Sequence, residues 1–513
     1  MSKKGYPPAA KAQLSEEEEF FQYQLAKLCS SDSLSIEGLR RLIERYGLKP
    51  NDTFIGRSFL AACYNERVTE EIIQYILEYF PAAGSFAAHG GKIPLHVACL
   101  NKNLTLNIVQ LLVNADPKSV RSLDSYGRFP LHSLCTNRKL DEKASMEILK
   151  FLIEKHPEAV RHEDERGCLP IHHASGGRAP EFCRVLIEAY PGSERIHNER
   201  GEYGSLPFHW ACAINTVATV EYLYKLYPEA IHHTTANGGY PIHLAMKGMM
   251  KRDNAKGMMK RDSPMDTVDV VQFLLDCDPS VIFKIVRGGM SLLHDVCQCE
   301  YYDATIEAAL IIIKLLYDAH PEAIEDYELA IDLDDFHQQV QTFINSQLVY
   351  ANQAEDHRQM TTPDEMGQLP LHTALQNNAT LGSVKLLVKG NPPAVQSPDN
   401  SGALPLHVAC EHHDCARVVQ YLVGLDGTTL NSVNREENTA LHLACRGAKY
   451  EIIAMLLETY DALSVSKQNI HNKLPIDLLW ESSGVEDRGS IEYTESVFQL
   501  LKAYPEVIFC SAV

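Results

Sequence analysis

The sequence is poor in the features that mark membrane and secreted proteins. Apolar runs are short, as in AALIII at 308–313, whereas a membrane-spanning helix needs about 20 consecutive apolar residues. The first residues, MSKKGYPPAAKAQLSEEEE, contain no apolar signal region. The 14 cysteines are scattered, and their closest pair, CQC at 297–299, has poor spacing for two zinc thiolates. We therefore expect an intracellular protein with reduced thiols.

Basic residues are also in short supply. The chain has 47 Lys and Arg against 67 Asp and Glu, so its formal net charge is −20. An acidic excess of this size repels phosphate backbones and anionic lipid headgroups. We therefore expect neither nucleic-acid binding nor membrane insertion. We expect a cytoplasmic location, and nothing in the composition argues against the nucleus.

Familiar catalytic signatures are missing too. The chain has no GxSxG, no P-loop, no kinase motif set and no HExxH. One short stretch, LPLHVACEHHDC at 404–415, nevertheless looks like a zinc site or a thiol nucleophile beside its base. Its candidate side chains are His407, Cys410, His412, His413, Asp414 and Cys415.

The first half of that stretch belongs to an internal repeat. Related heptapeptides occur along most of the chain: IPLHVAC at 93–99, FPLHSLC at 129–135, LPIHHAS at 169–175, LPFHWAC at 206–212, YPIHLAM at 240–246, SLLHDVC at 291–297, LPLHTAL at 369–375, LPLHVAC at 404–410 and TALHLAC at 439–445. Most of the steps between them are 34 to 40 residues, with longer steps of 51 and 78 residues. A period near 35 indicates a repeat architecture.

Each repeat predicts the same local structure. A glycine stands three residues before the proline position in most copies, as at Gly127 and Gly167, and predicts a tight turn. The proline is suited to the first turn of a short helix. A second segment, such as EILKFLI at 147–153, has apolar residues at helical spacing and stops before a proline, here Pro157.

A turn and two helices every 33 or so residues, with a T-P-L-H-x-A box, resemble the ankyrin repeat. The resemblance covers roughly residues 50–510, and the LPLH and YPEA variants are similar to those of large ankyrin families in unicellular algae. It implies an all-α fold, a solenoid of stacked helix-turn-helix units with short β-turn fingers. The family's threonine before the proline is replaced here by apolar residues such as Ile93 and Leu169. The sequence leaves open how the box histidines are then satisfied.

The spacing also predicts how the chain is divided. We expect a capping helix pair at 1–50, then repeats at 51–321 with a basic loop insertion at 246–265. The stretch 322–362 is either an inserted helix or a degenerate repeat, and repeats with a C-terminal cap follow at 363–513. The basic loop duplicates KGMMKRD, and is either a tolerated surface duplication or a site for an acidic partner. The C-terminal Ser-Ala-Val is one potential PDZ ligand.

Most of the residues that look like catalytic or metal-binding candidates belong to the repeated box, so they do not indicate one active site. Nine box histidines in nine successive settings are not one catalytic base, and the resemblance implies that they hydrogen-bond the turns and tie the repeats together. They are His96, His132, His172, His209, His243, His294, His372, His407 and His442. The box cysteines are expected to be small buried hydrophobes. The remaining residues of the suspicious stretch, 412–415, are expected to form a polar surface loop. We therefore predict no catalytic, cofactor or metal site.

The predicted function is binding of a partner protein. We expect a non-enzymatic scaffold or adaptor that uses the concave face and the turn fingers of the solenoid, as a monomer or as part of a hetero-complex. Large side chains that precede the turn Gly or Asn are the candidate contacts: Tyr126, Tyr203, Met366 and Ile470. The alternative is a regulatory or targeting subunit of an enzyme or channel, acting through the inserted helix or the C-terminal tail.

Overall fold

The structure, a computed structural model, describes residues 16–46, 55–198, 204–247, 263–283, 292–297, 305–322, 337–459, 465–482 and 490–503. The chain divides into two compact units, Met1–Gly289 and Met290–Val513. This division falls inside the stretch 51–321 that the sequence groups as one block of repeats. The two units are described separately below.

In most of the described repeats, the turn that opens the repeat is built around one polar side chain. In the repeat of residues 124–161, the Asp124 carboxylate accepts hydrogen bonds from the backbone N–H groups of Tyr126 and Arg128, at 2.9 and 3.0 Å. Gly127 has a φ of +70°, a left-handed conformation that disfavours residues with a Cβ atom. The aspartate and the glycine together close the turn, as the sequence predicts.

Two antiparallel helices follow this turn. The first begins at Pro130, whose missing N–H costs nothing at a first helical position, and ends at Thr136. The second, Glu142–Lys155, begins where the Asp141 side chain accepts a hydrogen bond from Ala144 N. A short 3-10 turn, Pro157–Arg161, then leads to the next finger. The buried face of the second helix includes Ile148, Leu149 and Leu152.

The first compact unit repeats this arrangement. Its helices are α1 (Glu16–Cys29), α2 (Ile36–Tyr46), α3 (Gly56–Tyr64), α4 (Glu70–Tyr79), α5 (Pro94–Ala98), α6 (Leu106–Ala115), α7 (Pro130–Thr136), α8 (Glu142–Lys155), α9 (Pro170–Ser175), α10 (Pro180–Ala189), α11 (Pro207–Ile214), α12 (Val217–Leu226), α13 (Pro241–Lys247) and α14 (Met265–Cys277). From α3 to α13, the short first helices pack on one another in chain order, and the second helices from α4 to α14 do the same. In the stretch expected to cap the array, α1 packs on α3 and α2 on α4.

The second compact unit has the same two layers. Its helices are α15 (Leu292–Cys297), α16 (Ile306–Ala319), α17 (Gln338–Glu355), α18 (His357–Thr361), α19 (Pro370–Gln376), α20 (Leu381–Gly390), α21 (Pro405–His412), α22 (Ala416–Leu425), α23 (Ala440–Arg446), α24 (Tyr450–Thr459), α25 (Pro475–Ser482) and α26 (Ile491–Ala503). The first helices α19, α21, α23 and α25 pack in series, and so do the second helices α20, α22, α24 and α26. The apolar core of this unit lies between the layers.

Helix α17 lies in the stretch that the sequence leaves open between an inserted helix and a degenerate repeat. It packs along α20, and its buried side chains are Val340, Ile344, Gln347 and Ala351. The Gln347 side-chain oxygen accepts hydrogen bonds from two hydroxyls of the next repeat, Thr380 at 2.8 Å and Ser383 at 2.6 Å. This helix is therefore built into the second unit and does not stand apart from it.

The predicted fold class is confirmed. The described residues form helices, 3-10 turns and loops, and none of them is in a β-strand. Among these residues, no helix combines the length and the apolarity that crossing a bilayer requires. Of the basic loop insertion at 246–265, residues 248–262 lie outside the described residues, and so does the Ser-Ala-Val terminus at 511–513.

Candidate interaction surface and repeat-box residues

Six of the box histidines make two hydrogen bonds, one within their own box and one to the following repeat. In the box at 169–175, His172 Nδ1 accepts from the backbone N–H of Leu169 at 3.1 Å, and so caps its own helix. Its Nε2 donates to the carbonyl of Ile196 at 3.0 Å, in the turn before the next box. The N–H of His172, which a hydroxyl at the cap position would accept, donates to the Leu169 carbonyl at 3.0 Å instead, so an apolar residue is tolerated there.

The same pattern recurs along both units. The Nε2 atoms of six box histidines donate to carbonyls of the following repeat: His96 to Arg128, His132 to His162, His172 to Ile196, His209 to His233, His407 to Ser432 and His442 to Lys473. His372 caps Leu369 N–H at 3.2 Å, and His243 is buried. The side chain of His294 lies outside the described residues.

Burial keeps these imidazoles neutral. It lowers the pKa of both His132 and His172 to about 3, and that of His209 and His442 to about 4. A neutral imidazole with both nitrogens engaged by backbone groups has no free site to take or give a proton. For the six histidines whose two nitrogens are both engaged, these hydrogen bonds are in keeping with the tying role that the resemblance implies.

The box cysteines are similarly inert. Each one is buried among apolar side chains: Cys63, Cys99, Cys135, Cys212, Cys297, Cys410 and Cys445. Burial raises the pKa of the Cys99 thiol to about 12 and those of Cys63 and Cys410 still further. Because the thiolate is the nucleophile, thiols in such surroundings are unreactive at neutral pH.

The second half of the suspicious stretch is not entirely a surface loop, and that prediction is wrong for one residue. His413 is only 2% exposed, and its Nε2 donates to the carbonyl of Ala379 in the preceding repeat at 2.8 Å. Its Nδ1 accepts from Cys415 N at 3.0 Å. His412 is exposed, and Asp414 pairs with Lys449 and Asn378 at the surface. These side chains do not converge on a common point.

His413 belongs to a ladder of polar side chains that sequence reasoning missed. At the loop between the two helices, the Asn101 side-chain N–H₂ donates to Cys63 O at 3.0 Å and to Asn65 O at 2.8 Å. Three other asparagines donate in the same way to two carbonyls of the preceding repeat: Asn65, Asn137 and Asn215. In the sequence, the feature that could have revealed this ladder is an asparagine seven or eight residues after the proline position of the box.

The turn tips present the candidate partner contacts. Tyr126 is 52% exposed, Met366 65% and Ile470 51%. Their backbones are nevertheless held by the neighbouring fingers: Glu165 N donates to Tyr126 O at 2.8 Å, and Ile470 N donates to Glu436 O at 3.1 Å. These tips therefore combine a fixed backbone with an exposed side chain. Tyr203 lies outside the described residues.

Comparison with known families agrees with this anatomy. A family model described as ankyrin repeats (3 copies) matches residues 95–195, 335–432 and 371–471. The chain is an ankyrin-repeat protein. A search of curated proteins found no match. The second matched range begins at residue 335, so the match includes α17.

One ankyrin repeat also holds a side-chain cluster that the sequence did not suggest. The donor atoms of Asp164, Cys168 and His173 lie within 4.8 Å of one another. Asp164 opens the turn, Cys168 ends it, and His173 follows the box histidine on α9. Burial by itself would raise the pKa of Asp164, but hydrogen bonds from His173 and the Cys168 N–H outweigh it and lower the pKa to about 2.

Proposed function

We propose that this ankyrin-repeat protein is a non-enzymatic scaffold or adaptor that binds a partner protein through the concave face and the turn fingers. Ankyrin repeats are generally protein–protein interaction modules. The observation that carries the proposal is the state of the fingertips, where large apolar side chains are exposed on backbones held by neighbouring fingers. Side chains on a fixed backbone lose little additional freedom when they bind.

The finer features of the proposal follow from composition. The acidic excess argues against nucleic acid, so the expected partner is a protein. We also propose that the protein acts in the cytoplasm, as a monomer or within a hetero-complex. Its reduced thiols and its net charge are in keeping with this. The box histidines and cysteines take no part in binding, because they are buried and serve the stacking of the repeats.

The packing of α17 bears on the alternative function. A regulatory subunit that docks through an inserted helix would present an unpartnered apolar face of that helix. Instead Val340 and Ile344 are buried, and Gln347 is hydrogen-bonded to the next repeat. We propose that α17 is the second helix of a degenerate repeat within 322–362, which favours the scaffold over docking through this helix.

Affinity purification with mass spectrometry tests the scaffold. The full chain is compared with a variant that carries Tyr126→Asp, Met366→Asp and Ile470→Asp. A charge at the tip opposes burial in an apolar interface, so a specific partner should be lost while circular dichroism stays unchanged.

The matched control carries Phe20→Asp and Leu425→Asp, which alter similarly exposed apolar side chains away from the fingertips. This control should keep the partner. A partner retained by the tip variant, or lost equally from the control, would show that the fingertips are not the binding surface.

A further inference from the structure

The cluster of Asp164, Cys168 and His173 stands apart from the other turns of this protein because it buries an unbalanced charge. The Asp164 side chain accepts a hydrogen bond from His173 Nε2 at 3.0 Å. Asp164 is 3% exposed and Cys168 1%, whereas the His173 side chain is 10% exposed at the edge of the cluster. The Cys168 sulfur accepts from the Asn198 side chain at 3.4 Å. The cluster is thus enclosed, with His173 on its solvent side.

Other repeats avoid a bare carboxylate at the position of Asp164. In the preceding repeat, Asp124 is 5% exposed, and the Arg128 guanidinium pairs with it at 2.9 Å. Three other buried residues at this position are uncharged: Thr235, Asn434 and Asn469. Asp364 is exposed, and Asp399 is only half-buried.

Cys168 occupies the place that Arg128 has in the preceding repeat, four residues after the turn aspartate. The substitution removes the permanent positive charge from this turn and puts a thiol in its place. His173 then supplies the remaining polar partner of Asp164. Burying a carboxylate costs free energy unless a cation balances its charge. Among the described residues, no arginine or lysine pairs with Asp164, so this turn favours the binding of another cation.

We propose that Asp164, Cys168 and His173 bind a zinc ion, which takes the place of the Arg128 guanidinium of the preceding repeat. One sulfur, one nitrogen and one oxygen donor form a set that suits Zn²⁺, whereas Ca²⁺ and Mg²⁺ prefer oxygen donors alone. The ion would be bound by Asp164 and Cys168 of the finger and by His173 of helix α9. It would therefore link the finger to this helix.

The geometry allows this with a small adjustment. Zinc bonds of about 2.0 to 2.3 Å place neighbouring donors about 3.5 Å apart. The Asp164 and His173 donors already lie 3.0 Å apart, and all three lie within 4.8 Å. The Cys168 sulfur therefore moves by about 1 Å, and gives up its contact with Asn198. The neighbouring His132 is not a ligand, because its nitrogens bond Phe129 N–H and His162 O.

Zinc binding by the purified full chain tests the proposal. The protein is treated with chelator, dialysed against micromolar Zn²⁺ and analysed for bound metal. We expect about one zinc per chain for the wild type, and less than about 0.1 for Cys168→Ser and for His173→Gln. The control variant carries His412→Gln and Cys415→Ser, which change a histidine and a cysteine outside the cluster, and it should keep the zinc.

Cobalt substitution of the wild type supplies a second measurement that needs no variant. A Co²⁺ ion bound by Cys168 should show a near-ultraviolet sulfur-to-metal charge-transfer band, and this band should disappear on addition of Zn²⁺. Less than about 0.1 zinc per chain in the wild type, or zinc retained in both cluster variants, overturns the proposal.

Discussion

Replacing Asn101 by alanine should destabilise the first compact unit by about 3 kcal/mol. The side chain is 2% exposed and makes three hydrogen bonds, to Cys63 O, to Asn65 O and from Asn103 N. A buried hydrogen bond contributes about 1 kcal/mol net, and a buried carbonyl that loses its partner adds a desolvation penalty. The loss is measured as the shift of the urea unfolding midpoint, followed by circular dichroism. Hydrogen exchange over α3 to α6 locates it, because repeat arrays need not unfold in one step.

Asn103→Ala is the matched control. This asparagine is two residues away and exposed, and its side chain donates a hydrogen bond of 2.7 Å to Glu66 O. Its removal should cost less than about 1 kcal/mol, because water replaces the lost partner. Equal losses of unfolding free energy for Asn101→Ala and Asn103→Ala would refute the idea that the asparagine ladder ties one repeat to the next. Of these two residues, Asn101 belongs to the ladder and Asn103 does not.

Three further results are expected. Acidification from pH 6.5 towards pH 3 should lower the free energy of unfolding by about 1.4 kcal/mol per pH unit for each histidine like His132 or His172. The reason is that the unfolded chain takes up protons that the folded chain excludes. Urea titrations at several pH values measure this slope, and His172→Gln should reduce it. Gly367→Ala should lower the melting temperature, because Gly367 has a φ of +74° and a Cβ atom there would meet Asn400, whereas Gly424→Ala, with open space around it, should be neutral or stabilising. Deleting 326–355 should lower the melting temperature of the second unit if α17 belongs to a degenerate repeat, whereas unchanged stability would favour a separate docking helix.

The fold could be predicted from the sequence because its information is local and repeated. Gly127, Pro130 and the apolar residues of α8 each act within a few residues, through a turn, a helix start and a buried face. The same signals return about every 35 residues, so errors in one repeat are corrected by the others. For this reason the helix positions follow from the repeated pattern, and the all-α repeat fold follows from its resemblance to the ankyrin repeat.

The candidate contacts could be located only in part. Fingertip residues such as Tyr126 and Met366 were found because they stand beside a turn glycine, where exposure is expected. The role of His413 was not found, because its partner, Ala379 O, lies 34 residues earlier. The asparagine ladder likewise joins residues 34 to 40 apart, and a polar loop looks the same in the sequence whether or not it reaches the preceding repeat.

The sequence by itself determined the repeat, its period and the order of turn and helices. Only the tertiary structure decided which polar side chains are buried. It showed that backbone carbonyls and box histidines satisfy the helix starts that lack a threonine, that His413 points inward, and that Asp164 is enclosed with Cys168 and His173. The physical reason is that burial depends on how successive repeats stack, and stacking brings together side chains that share no local pattern.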